Sequence, residues 1–403
     1  MIDEFAVKAE SKRVLIIHAD GNLFNNPSLK CIADLLLQHG CEIDFRYPKS
    51  FAPMPATKGI RLLPFGPRLW RIKSFIFNRL CIYPLVFLSA LLEQLFLYRK
   101  YDLIIGVDRQ GLIEAGVLHK ITKTPFVYIS FEIMFESETS VRCKRLERRA
   151  SRDVGFWVVQ DEERAEQLQR ENFLNPGNRF LLPLASSGAG EMATDRLRDR
   201  LGIPDDKHVA ITIGSVADWS MTREIIQSVP SWPDDWVLIV HERYGRTSQS
   251  LENVLAEIAP LVGKKVFLSN AATDSVDDMG SILSGISVGL AFYKPVFIGP
   301  YLGKNLIHLG FASGKISTCL RYGVPVLVNE IGLFANESKT HHFGWVVESP
   351  DLIGGSLERF RDTQLGENAK NYFMERLDFN HFGNDLWTRI DGAMGTSDAE
   401  RKK

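Results

Sequence analysis

The stretch Phe311-Ala-Ser-Gly-Lys-Ile-Ser-Thr-Cys-Leu-Arg-Tyr-Gly-Val-Pro-Val-Leu-Val-Asn329 decides the reading of the fold. Ser313 and Gly314 turn the backbone tightly, and Ile316, Cys319 and Leu320 then recur at helical spacing, which predicts a helix starting near Lys315. Gly323 closes that helix. Val324-Pro-Val-Leu-Val328 reads as a buried strand with Pro325 at its start, where a missing donor is tolerated. The unit is loop, helix, strand. A helix start offers free N–H groups at the positive end of its dipole. Together with Gly314, the Lys315 ammonium, Ile316 and the Ser317 and Thr318 hydroxyls, they suit a phosphate. An ordinary helix-to-strand connection in an α/β sheet accounts for the same residues, and the stretch alone leaves both readings open.

Short apolar runs alternating with polar loops and helices extend to both sides. His208-Val-Ala-Ile-Thr-Ile-Gly-Ser215, Trp236-Val-Leu-Ile-Val-His-Glu-Arg-Tyr244, Lys265-Val-Phe-Leu-Ser269 and Val288-Gly-Leu-Ala-Phe-Tyr293 read as strands, and Gly344-Trp-Val-Val347 as an edge strand. His241, Glu242 and Arg243 are consecutive, so a regular strand turns them to alternate faces and they cannot all meet one ligand; Arg243 is the fixed cation suited to a diphosphate. The loop from Lys294 to Ser313 is long enough to be functional. Upstream, Arg13-Val-Leu-Ile-Ile-His18, Cys41 to Tyr47, Tyr101-Asp-Leu-Ile-Ile-Gly-Val107, Pro125-Phe-Val-Tyr-Ile-Ser130 and Phe156-Trp-Val-Val159 are the strands of an earlier sheet. No G-x-G-x-x-G follows the first of them. Open α/β sheets bind ligands beyond the carboxyl ends of their strands, which makes His18, Asp20, Gly21, Asp108 and Glu132 candidates for the cleft. His18 reads equally as a strand-end histidine satisfied by backbone, and Asp108 and Glu132 as capping acids.

A chain of 403 residues exceeds one usual core, so two domains are expected. Hydrophobic residues at 45% and charged residues at 24% are those of a globular protein, and a net charge of -1 argues against a generic nucleic-acid binder. Cys31, Cys41, Cys81, Cys143 and Cys319 are scattered and odd in number, so reduced core thiols in a cytoplasmic protein are expected, with no disulfide and no metal site. Met1 to Lys12 show no apolar run, so no signal peptide is expected. From Lys58 to Tyr98, Lys58, Arg61, Arg68, Arg71, Lys73 and Arg79 interleave with aromatic and aliphatic residues before a strongly apolar run that Pro84 and Glu93 interrupt. The run is too short and too interrupted to span a bilayer. A peripheral membrane contact through residues 58–98 and an amphipathic helix pair covering the sheet both fit.

Ser313-Gly-Lys-Ile followed by Leu320-Arg-Tyr-Gly-Val-Pro-Val326 resembles the donor-site segment of GT-B glycosyltransferases of the family 4 kind (group 1). The Tyr101-Asp-x-Ile-Ile strand, the strand ending near Glu132, Leu146-Glu-Arg and the acid-rich helix after Gln160 occur in that family's order, up to Leu182-Pro183. The resemblance implies two Rossmann-like domains facing each other across a cleft, with C-terminal helices crossing back to the first. It also implies sugar transfer from a nucleotide-diphosphate donor to a hydroxyl, with retention of configuration and no metal or cofactor. The boundaries expected are 1–190 for an acceptor-binding domain, 191–365 for a nucleotide-sugar-binding domain and 366–403 for the returning helices and tail. Candidate donor-site residues are Gly214, Ser215, Arg243 and 313–318; candidates at the reacting centre are His18, Asp108, Glu132, Arg243 and Lys315; Asp20, Gly21, Asp108 and Glu132 are candidates for the acceptor. The acceptor implied is a saccharide or a lipid-linked one, in polysaccharide or glycolipid assembly, at the inner face of the membrane. The family's segment usually carries a Glu, which commonly holds the donor ribose, where Thr318 or Cys319 stands here. Its absence keeps open a second reading, a GT-B-like partner subunit without transfer.

Overall fold

The computed structural model describes residues 11–19, 21, 23–49, 56–97, 99–242, 256–271, 273, 278–297 and 301–401. The apolar runs form two parallel sheets. The first has seven strands, β1 (Arg13–His18), β2 (Glu42–Pro48), β3 (Ile60–Phe65), β4 (Leu103–Val107), β5 (Phe126–Ile129), β6 (Trp157–Val159) and β7 (Arg179–Leu181), in the order β3-β2-β1-β4-β5-β6-β7. The second has six, β8 (His208–Gly214), β9 (Trp236–Glu242), β10 (Val266–Ser269), β11 (Val288–Ala291), β12 (Val326–Asn329) and β13 (Gly344–Val347), in the order β10-β9-β8-β11-β12-β13. Parallel strands need covered faces, and the period of two along each strand supplies apolar groups to both. In β1, Val14 and Ile16 face one core while Leu15 and Ile17 face the other. In β9, Val237 and Ile239 face one core while Trp236, Leu238 and Val240 face its opposite.

The helices used below are α1 (Pro27–Gln38), α2 (Pro67–Phe75), α3 (Tyr83–Leu97), α4 (Asp108–Thr122), α5 (Val141–Ser151), α6 (Glu162–Asn172), α7 (Gly314–Arg321), α8 (Gln364–Tyr372) and α9 (Gly383–Arg401). The chain passes from the first sheet to the second through residues 182–190 and returns after α8. The two crossings are tied together: Phe379 N–H donates to Ser186 O at 3.2 Å, and Gly188 N–H to Asp378 Oδ1 at 2.9 Å. α9 then adds Leu386, Ile390 and Met394 to the core that also holds Val14 and Ile16, so the last helix is part of the first domain's packing. His39 at the end of α1 stacks on Trp387 with centroids 3.8 Å apart.

Three expectations change. The segment 58–98 is not only a helix pair, because Ile60–Phe65 forms the edge strand β3. Lys73 is not a surface cation. It is buried, 2.8 Å from Glu93 and 2.7 Å from Glu114, and Arg46 lies 3.0 Å from Glu93; two cations and two acids compensate one another inside the fold. Finally, Cys81 and Cys143 are a disulfide, with Cα atoms 5.0 Å apart across a sequence separation of 62. Scatter along the chain does not preclude pairing, because the turn before α3 packs on α5 and brings the two thiols together. Cys31, Cys41 and Cys319 are buried and stand outside any disulfide.

Candidate functional site

Each sheet changes its winding direction once, between β1 and β4 in the first and between β8 and β11 in the second. An open parallel sheet binds ligands beyond its strand ends at such a switch. In the first domain His18 ends β1 and Asp108 follows β4; in the second Gly214 ends β8 and Tyr293 follows β11.

The second-domain half is built around Lys315. Ser313 caps α7, its side chain accepting from Ile316 N–H at 3.3 Å, and its hydroxyl lies 2.6 Å from the Tyr293 hydroxyl. α7 lies directly on β11, because a Cβ at Gly289 would come within 2.5 Å of Cys319 Sγ. Trp219, in the turn after β8, is fixed by Lys294 N–H donating to its carbonyl at 2.9 Å, and its ring stacks on Tyr293 with centroids 6.0 Å apart. Asn329 pins Tyr293 from β12 with two bonds, at 2.9 and 2.8 Å. The Lys315 ammonium lies 5.1 Å from the Trp219 centroid and 5.6 Å from that of Tyr293. Gly214 has φ of 101°, and a Cβ there would sit 3.2 Å from Lys315 Cε, so glycine is needed both for the turn and for the approach. Burial lowers the Lys315 pKa to about 8 and raises that of Cys319 to about 12. Among the described residues no carboxylate pairs with Lys315. A cation held on two aromatic faces at a helix start, with no described carboxylate beside it, is suited to an anionic ligand.

The first-domain half is built around His18. It is buried, its Nδ1 has no hydrogen-bond partner, and the loop returns so closely that a Cβ at Gly21 would lie 1.9 Å from Nε2. Burial lowers its pKa to about 4, so the ring is neutral near pH 7 and presents an imidazole able to share hydrogen bonds. Asp108, at φ of 53°, accepts from the N–H groups of Phe131 and Glu132 at 2.7 and 2.9 Å; it braces the strand end after β5. Glu132 accepts from Asn305 Nδ2, and burial raises its pKa against the opposing effects of Arg164 and Asn305. Asp108 and Glu132 are therefore both engaged within the protein.

Glu132 belongs to a clamp between the domains. Asn305, in the loop expected to be functional, accepts from Ile133 N–H at 2.9 Å, and buried Arg164 on α6 donates to His308 O and to Phe131 O, each at 2.7 Å. Asp161 accepts from Phe311 N–H at 2.8 Å, and Leu184 N–H donates to Phe311 O at 3.0 Å. Ser28 at the start of α1 bonds Pro183 O at 2.9 Å. The start of α1 and the start of α7 thus flank the same crossing strand of chain, and the two halves face one cleft. Of the other candidates, Ser215 follows β8, its carbonyl accepting from Ser220 Oγ at 2.8 Å; Gly314 opens α7; Ile316 and Ser317 are buried and Thr318 half-buried. Asp20 and Arg243 lie outside the described residues. Trp219, Tyr293, Asn305 and Arg164 were not singled out from the sequence. Tyr293 carries the one usable signal, its place just past a buried strand. Among the described residues no cluster of His, Cys, Asp and Glu could hold a metal ion. A cavity of about 350 Å³ beside Tyr101 and Thr124 lies at the opposite end of the first sheet and takes no part in this site.

No family model and no curated protein matches the sequence. Solved structures do. Sucrose-phosphate synthase from Thermosynechococcus elongatus superposes with a TM-score of 0.69 at 14% identity, covering 95% of this chain and 100% of that one. HepE of Anabaena, in complex with UDP and glucose, gives 0.65 at 13% identity over 94% and 100% of the two chains. WaaG, a glycosyltransferase involved in lipopolysaccharide biosynthesis, gives 0.63 at 13% identity over 91% and 96%. With both sheets, the cleft and the returning helices matched over nearly the full length, the chain has the GT-B fold.

Proposed function

We propose that this chain is a glycosyltransferase that moves a sugar from a nucleotide-diphosphate sugar to a hydroxyl acceptor. The observation that carries the reading is Lys315: a cation with no carboxylate partner among the described residues, at the start of α7 and against Gly214, at the switch point of the second sheet. Departure of a nucleoside diphosphate builds negative charge on the leaving oxygen. In this reading Lys315, the N–H groups of the α7 start and the backbone at Gly214 and Ser215 stabilise that charge, with Arg243 as a further cation just past β9 and without a metal. Across the cleft, neutral His18 positions the acceptor hydroxyl through a hydrogen bond to its ring nitrogen. The sugar is a hexose and its configuration is retained, as the family resemblance implies; HepE, solved with UDP-glucose, supports a uridine nucleotide. WaaG, involved in lipopolysaccharide biosynthesis, supports an acceptor in polysaccharide or glycolipid assembly.

The test is release of nucleoside diphosphate from a panel of nucleotide sugars, with and without a lipid and oligosaccharide extract as acceptor. Release from one donor class, lost in His18→Phe and Lys315→Ala, is expected. The absence of an acid at Thr318 and Cys319 favours the second reading, a binding subunit without transfer. Donor binding with no release under any acceptor condition would establish that reading in place of the first.

A further inference from the structure

One face of the first domain is apolar, and among the described residues nothing covers it. α2 turns Lys73 inward and leaves Leu69, Ile72 and Phe75 outward; α3 turns Val86 and Ala90 inward and leaves Leu85, Leu88, Leu92 and Leu95 outward. Spacings of three, four and three place those four leucines on one stripe. The stripe is open: Leu88 is 50% and Leu95 59% exposed, and Ile72 on α2 is 58% exposed. Among the described residues, eight of the seventeen exposed large apolar side chains fall between positions 69 and 95, so the face is a patch and not ordinary scatter.

The charges around it have one sign. Arg68 and Arg71 are exposed on α2, and Arg79 is exposed in the turn of helix Ile76–Leu80 between α2 and α3. α5, tied to the turn before α3 by the Cys81–Cys143 disulfide, adds exposed Arg142, Arg145 and Arg149, the last with its guanidinium carbon 3.7 Å from the Tyr83 centroid. The acids of these segments are withdrawn: Glu93 is held by Lys73 and Arg46, and Glu147 is buried against Lys144. A second copy of the chain would bring this arginine rim against its like. No described helix is long and apolar enough to cross a membrane. An apolar stripe with a cationic rim and no exposed acid complements an anionic surface with an apolar interior.

We propose that the face formed by α2, α3 and the arginine side of α5 docks on an anionic lipid bilayer, with the α3 leucines in the headgroup layer. The docking stands whether or not the chain transfers sugar. The same face reaches the cleft, because Trp70 on α2 donates from Nε1 to Ala19 O at 3.1 Å, one residue past His18. A hydroxyl carried by the bilayer therefore meets the first-domain half of the site at the membrane surface.

The test is flotation of the full chain with vesicles of phosphatidylcholine alone and of phosphatidylcholine mixed equally with phosphatidylglycerol. The pairs Leu88→Asp with Leu92→Asp, and Arg68→Glu with Arg71→Glu, are run in parallel. All four positions are exposed, and unchanged thermal melts verify folding. The wild type is expected to float with the anionic vesicles only and to be released at about 1 M salt, where the Debye length is about 3 Å. Each pair is expected to weaken partitioning at least about tenfold. Failure to float with anionic vesicles at low salt, equal flotation with neutral ones, or variants that bind like the wild type would overturn the proposal. So would a concentration-dependent dimer in light scattering that Leu88→Asp dissolves while lipid binding is absent, since a second copy would then cover the face.

Discussion

Acid should reveal the state of His18 before any substrate is known. Its pKa falls from 6.5 to about 4 because the ring is buried with an unpartnered Nδ1. The folded state thus favours the neutral ring, and the unfolded chain binds the extra proton as pH drops below 6.5. The stability from this group is fully present above about pH 6.5 and is lost as pH falls through about 4. The fall corresponds to roughly 3 kcal/mol in total, of which about 2 kcal/mol is gone by about pH 5. The perturbation is His18→Phe, which keeps a planar ring against Gly21, removes the titrating nitrogens and breaks no hydrogen bond at Nδ1, which had none. Urea unfolding of both proteins near neutral pH and near pH 5 gives a double difference in which every other titrating group cancels. The variant is expected to be spared about 2 kcal/mol of the acid loss. Equal losses in the two proteins would refute a buried neutral His18, and with it the ground for making the neutral ring the partner of the acceptor hydroxyl.

Other expectations follow from the same geometry. Because the proposed donor is anionic and would pair with protonated Lys315, whose pKa is about 8, nucleoside diphosphate affinity should fall by up to about tenfold per pH unit above that value, and Lys315→Arg should flatten the dependence; calorimetric titration at neutral and alkaline pH checks both. Arg164→Met leaves Phe131 O and His308 O without a donor and removes the cation whose field opposes the raised pKa of Glu132, so a loss of about 3–5 kcal/mol is expected in urea unfolding. The Cys81–Cys143 bridge closes a long loop, which the chain-entropy account puts at about 4 kcal/mol; Cys81→Ser should lower the unfolding midpoint as much as reduction lowers that of the wild type, and alkylation after unfolding without reductant should label only Cys31, Cys41 and Cys319.

The strands that carry the site were legible because each is a buried apolar run ended by a turn former, as in Arg13 to His18 and His208 to Gly214. The two that were missed have physical reasons. β3 is an edge strand whose arginine and Pro64 break any alternation, and β7 has only three residues. Lys315 and Gly214 could be named from the sequence because a helix start and a strand end have local signatures. The aromatic pair that holds Lys315 has none: Trp219 and Tyr293 meet only when the turn after β8 folds over the end of β11. Likewise Arg164 reads as an ordinary basic residue in a charged helix, and its burial depends on a loop more than a hundred residues away. Lys73 misled for the same reason, since its partner Glu114 lies on a different helix.

Thermal-shift titration with nucleoside diphosphates and nucleotide sugars probes the proposed nucleotide-sugar site at Lys315 without need of an acceptor. At about a hundredfold the dissociation constant, ligand stabilises the fold by about 2.7 kcal/mol, enough for a rise of several degrees. Such a rise is expected with one nucleotide class in the wild type, and none in Lys315→Ala. No rise with any nucleotide, or an equal rise in the variant, would contradict the proposed site.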